Sequence, residues 1–114
     1  MSVSTNEMFE MLNWNSSIET QKKGICEAVK VKYISIFFQP QESKDVWENC
    51  AKVIAKKSDT ELSIYVIDML TWLQDMNWPG AERIFNRLCH MQPQLVYNNF
   101  LFCLKKAIMT QDNP

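Results

Sequence analysis

Cys89 and His90 are neighbours in the sequence, and a thiol beside an imidazole is the pairing from which an activated nucleophile can be built. On a helix, adjacent positions point about 100° apart, so the two are not aligned for proton transfer. His90 is the single histidine of the chain. At the end of a helical segment its ordinary role is a residue favoured by the C-terminal dipole. The serines lack the glycine-flanked turn of a nucleophile elbow. Asp68 and Asp75 are the nearest thing to a carboxylate pair, but two helical turns, ~10 Å along the axis, lie between them, so they do not make a ready acid and base. The cysteines Cys26, Cys50, Cys89 and Cys103 have 23, 38 and 13 residues between them and include no CxxC pair. With one histidine they do not compose a zinc site, and the expectation is reduced thiols acting as small buried hydrophobes. Gly24 and Gly80 are the only glycines, which removes every glycine-rich phosphate loop. The sequence is thus read as non-enzymatic, with no cofactor, metal or small-molecule ligand expected.

Charge is more informative. Twelve basic and 13 acidic residues leave a net −1, so a broad footprint on nucleic acid is not expected. Residues 42–78 set four lysines against seven acids, a local net of −3, while residues 79–114 carry +2. The acidic middle includes a stretch, 60–75, whose outer face places Glu61, Asp68 and Asp75 within about 40° of one another at helical periodicity. Ile64, Ile67, Thr71 and Trp72 lie beside them. Acids interleaved with isoleucine and tryptophan have the composition of a partner-binding patch, with Trp72 as anchor. The same apolar residues would serve equally well as packing on neighbouring helices. Glu42, Asp45 and Glu48 form a second, weaker acidic candidate.

These residues need helices to position them. Scarce glycine argues against a β-sandwich, and apolar residues recur at helical spacing between capping residues and prolines. The expected helices cover 5–12, with Met8, Phe9 and Leu12 inward; about 17–30, with Ile18, Ile25, Ala28 and Val29 inward; and 43–57, with Val46, Cys50, Val53 and Ile54 inward. Others cover 60–75, 79–90 (Ala81, Ile84, Phe85 and Leu88 inward) and 93–109. Asn77 is expected to cap the helix at 79–90, with Pro79 in its first turn. Residues 33–38 have strand-like composition, but no second strand is available to pair with them, so they too are read as helical. The expectation is a single all-α domain over 1–114 with a polar tail from about 110. Its helical hairpins pack antiparallel as a compact bundle or as a short stack. No leader segment or membrane span is evident, and a cytoplasmic protein is expected.

The segment Trp72-Leu73-Gln74-Asp75-Met76-Asn77-Trp78-Pro79-Gly80-Ala81, with Val46-Trp47-Glu48-Asn49-Cys50-Ala51 upstream, resembles a bacterial family of small helical proteins. The hallmark of that family is an LxDMNWP segment following an apolar helix. The resemblance covers roughly residues 43–90 and implies a HEAT-like or armadillo-like right-handed stack. Some members occur beside polymorphic or contact-dependent toxin genes and are thought to act as immunity proteins. What the resemblance implies is therefore a protein that binds and inhibits a cognate toxin. A nuclease is the favoured class, because such enzymes are commonly basic around the substrate cleft and an acidic surface would dock there. The other readings are a non-catalytic scaffold or adaptor, and a HEAT-like nucleic-acid binder, which would need a basic concave groove that the overall charge does not suggest.

Overall fold

A computed structural model describes residues 3–41 and 43–111. Among these residues the regular structure is all helical, with no strand. α1 (Thr5–Leu12) begins at Ser4, whose Oγ accepts from the Glu7 amide at 3.2 Å. It buries Met8, Phe9 and Leu12 as their spacing requires. α2 (Ile18–Val29) is capped in the same way by Ser17. The two helices approach closely because Gly24 has no side chain: a Cβ there would lie 2.8 Å from that of Met11. Ile18, expected inward, is exposed, and Ala28 with the partly buried Ile25 and Val29 forms the inner face. Ile18 occupies the first position of its helix, outside the contact with α1.

Ile34–Phe37 is a 3₁₀ turn that buries Ile34 and Phe37, so the strand-like run is helical. A second 3₁₀ turn, Lys44–Val46, leads into α3 (Trp47–Ala55). This is the most buried helix of the protein. Val46, Trp47, Cys50, Ala51, Val53 and Ile54 are in the core, together with one amide, Asn49. Asn49 Nδ2 donates to the Leu12 carbonyl at 2.6 Å and to Gln21 Oε1 at 3.0 Å, tying α3 to the end of α1 and to α2. Lys57 is also buried. Its ammonium donates to the carbonyls of Val29 (2.7 Å) and Val31 (3.2 Å), satisfying acceptors left over at the end of α2.

The stretch expected as one helix over 60–75 is not continuous. α4 (Asp59–Leu62) passes into a 3₁₀ turn at Ser63–Tyr65, and α5 (Val66–Trp72) completes it. The buried residues explain the tighter winding: Leu62, Val66, Met69 and Trp72 are four, three and three positions apart, a mean spacing below the 3.6 of an α-helix. α6 (Ala81–Cys89) starts from Gly80 at φ +83°, and Pro79 precedes the helix instead of forming its first turn. Asn77 does not cap that helix; its amide donates to Asp75 Oδ1 in a local turn. Phe85, expected inward, is largely exposed, while Ala81, Ile84 and Leu88 are buried. Helix α7 (Pro93–Gln111) closes the described chain.

Packing is serial: α1 lies on α2, α2 on α3, α3 on α6, α6 on α5 and α5 on α7. The molecule is correspondingly elongated, 50 × 30 × 21 Å. No helix among the described residues is long and apolar enough to cross a membrane.

Candidate protein-binding surface

The segment 72–81 contributes its two ends, Trp72 and Gly80–Ala81, to the core, while Gln74, Asp75, Met76 and Asn77 between them are exposed. Trp72 is fully buried. Its ring meets Trp47 edge to face at 5.7 Å and Phe38 at 6.5 Å, and its Nε1 donates to the Pro79 carbonyl at 3.0 Å. Trp78 also packs against Trp47, at 5.8 Å. Trp72 is therefore not a surface anchor. It is turned inward at the end of α5, where the indole N–H finds its acceptor inside the fold.

What remains outside is a stripe. Ile64 is 78 % exposed and Ile67 37 %, and Asp68, Thr71 and Asp75 are exposed with them. Positions 64, 68, 71 and 75 follow one another by four, three and four residues, so they run along one side of the 3₁₀ turn, α5 and the turn after it. Thr71 Oγ1 donates to the Ile67 carbonyl at 2.9 Å, which turns its methyl group to the outside. Asp68 makes no ion pair among the described residues.

Glu61 is exposed but committed elsewhere. It forms a capping box with Ser58, accepting from the Ser58 amide (3.2 Å) and hydroxyl (3.1 Å) while its own amide donates to Ser58 Oγ. Those two bonds, the amide first, hold its carboxyl below the ordinary carboxylate value. The second acidic group does not form a free patch. Glu42 lies outside the described residues. Asp45 is half-buried and accepts from Asn15 Nδ2 at 3.2 Å. Glu48 accepts from the Gly80 amide at 3.2 Å and is paired with Arg83, joining α3 to the start of α6.

His90 Nδ1 faces the Asn86 carbonyl at 2.7 Å, and no group of three His, Cys, Asp or Glu among the described residues could hold a metal ion. Cys50 is buried as expected, but Cys26 and Cys89 are exposed; each lies at a helix position turned away from the core.

Two further surfaces escape the sequence. On α7, Tyr97, Phe100 and Phe102 are more than half exposed. Between α2, α3 and α6 runs a groove of about 890 Å³ with lysines along its sides. The chain's overall charge conceals it, because its cations come from three helical regions distant in sequence.

No curated protein and no solved structure matches the chain. A family match covers residues 38–105, from the end of the Ile34–Phe37 turn into α7, and so spans the tryptophan cluster and the exposed α5 stripe. On that match the chain belongs to the family described as a domain of unknown function (DUF5071).

Proposed function

We propose that this chain is a non-catalytic protein-binding module that inhibits a cognate bacterial toxin by covering its active-site region. The observation that carries the binding half of this reading is the exposed stripe Ile64–Ile67–Asp68–Thr71–Asp75. A branched apolar side chain held 78 % exposed on a short, well-anchored helical segment gains roughly 1.5–3 kcal/mol when fully buried against a partner. With Trp72 in the core, Ile64 takes the anchor role. The unpaired Asp68 beside it speeds encounter with a basic surface, which is why a nuclease is the favoured class of toxin. The toxin half rests on the resemblance of residues 43–90 to proteins found beside toxin genes; on this reading the chain acts in the cytoplasm, where such a toxin meets its nucleic-acid substrate. A second reading, a scaffold or adaptor with no antitoxin role, is favoured by the exposed aromatics of α7, which would suit a larger assembly.

Co-expression separates the two. A candidate toxin, the product of the neighbouring gene, is produced with the wild-type chain or with Ile64→Glu. Growth restored by the wild type and not by a folded Ile64→Glu variant is the expected result. Growth restored by neither, with no complex recovered, removes the toxin half of the proposal.

A further inference from the structure

The groove between α2, α3 and α6 is built differently from the α5 stripe. Its floor is apolar, made by Ile25 and Val29 of α2 and Ala55 at the end of α3. Along its sides stand Lys22, Lys30, Lys52, Lys56 and Arg83, and no acidic residue lines it. Two of these cations are already engaged, Lys30 with Glu27 at 3.4 Å and Arg83 with Glu48. Lys22, Lys52 and Lys56 make no ion pair among the described residues. The groove continues past Ala55 and Arg83 into a recess of about 450 Å³ that also holds Lys57 and Arg87. In that recess the cations are taken up by the fold: Lys57 by the α2 carbonyls, and Arg87 by the Lys57 carbonyl (2.8 Å) and Asp59 (2.7 Å). The open positive charge is therefore confined to three lysines flanking an apolar strip.

We propose that this groove is a docking site for an acidic amphipathic helix of a protein partner, separate from the α5 stripe and independent of its partner. The charge pattern selects the occupant. Carboxylates on both flanks of a helix would pair with Lys22 on one side and Lys52 and Lys56 on the other, while its apolar stripe covers Ile25 and Val29. Helix α2 offers about three turns of length for this contact. Nucleic acid fits less well: no aromatic side chain lines the groove for base stacking, and the one arginine there is held by Glu48.

Cys26 also lines the groove and is exposed, whereas Cys89 is exposed outside it, so the protein carries its own reporter and its own control. The probe is a peptide of about four helical turns with leucine on one face and glutamate on both flanks, added to the full chain at up to millimolar concentration. It is expected to slow iodoacetamide labelling of Cys26 and leave Cys89 unchanged. Anisotropy of the labelled peptide is expected to give at least a ~10-fold weaker Kd for Lys52→Glu/Lys56→Glu, and no change for Lys105→Glu on α7. Should the double glutamate variant fail to fold, Lys56→Gln with the Cys26 protection assay carries the same test. Equal protection of both thiols overturns the proposal, as does no protection of either, or equal binding of a peptide with glutamine in place of glutamate. Tighter binding to single-stranded DNA or to phosphatidylglycerol vesicles, with the same lysine dependence, overturns it in favour of those ligands. None of these outcomes bears on the toxin co-expression result, so the two proposals fail separately.

Discussion

Trp47 and Trp72 meet edge to face with ring centroids 5.7 Å apart and planes at 70°, joining the first residue of α3 to the last of α5. Trp78 also meets Trp47 edge-on, with planes at 86°, so three of the chain's four tryptophans form one cluster at the corner where the chain turns into α6. The segment 72–81 is thus a structural corner, and the exposed Ile64–Asp75 stripe, the proposed partner surface, lies outside that cluster.

The first prediction concerns stability. Trp72→Ala removes a fully buried indole and leaves the Pro79 carbonyl without its donor. We expect a loss of about 3–5 kcal/mol, read from urea unfolding. A loss under about 1 kcal/mol would mean that the ring is not in the core.

Gly80 is the second. At φ +83° it adopts a backbone conformation that L side chains rarely take, and a Cβ there would stand 2.7 Å from the Ala51 Cβ, 2.9 Å from the Trp47 carbonyl oxygen and 3.1 Å from Trp72 Cζ2. Two of those neighbours are rigid. Gly80→Ala is expected to destabilise by more than about 1 kcal/mol, and an unchanged melting temperature would contradict the geometry.

Asp59 supplies a pH dependence. The Arg87 guanidinium, and after it the Gln92 amide, hold its carboxyl below the ordinary value of 3.8. A carboxyl whose folded pKa is depressed contributes stability at pH values above 3.8, and that contribution fades as pH falls through the lower folded value. The stability difference between wild type and Asp59→Asn is therefore constant near neutrality and shrinks in acid. A difference that grows on acidification would contradict the assigned bonds.

The thiols give a fourth test. Cys26 and Cys89 are exposed and Cys50 is buried. Alkylation followed by mass spectrometry is expected to label Cys26 and Cys89 in the native protein, and Cys50 only after unfolding without reductant. Rapid native labelling of Cys50 would contradict its placement.

Much of this architecture was legible in local signals. Ser4, Ser17 and Ser58 each precede a helix and each caps it. Met8, Phe9 and Leu12, like Val46, Cys50, Val53 and Ile54, are buried as their periodicity requires. Trp72 was left open by the sequence. At 3.6 residues per turn it borders both the core stripe and the acids, and its ring contacts with Trp47 and Phe38, far away in sequence, decide which side it takes. The acids divided for similar reasons. Asp68 stays unpaired on the outside, whereas Glu61 and Glu48 are taken by a cap and by an inter-helix bridge whose partners no spacing rule identifies. The lysine groove was hidden because it exists only once α2, α3 and α6 are side by side.

The central proposal, that the Ile64–Asp68 stripe is the inhibitory contact surface, is tested most directly by binding kinetics against the product of the neighbouring gene, using wild type, Ile64→Glu and Asp68→Lys. Ile64→Glu is expected to raise the dissociation rate and weaken binding by about 2 kcal/mol or more, as loss of an anchor does. Asp68→Lys is expected to slow association and flatten its salt dependence. Wild-type rate constants in both variants, with the fold intact, would contradict the claim.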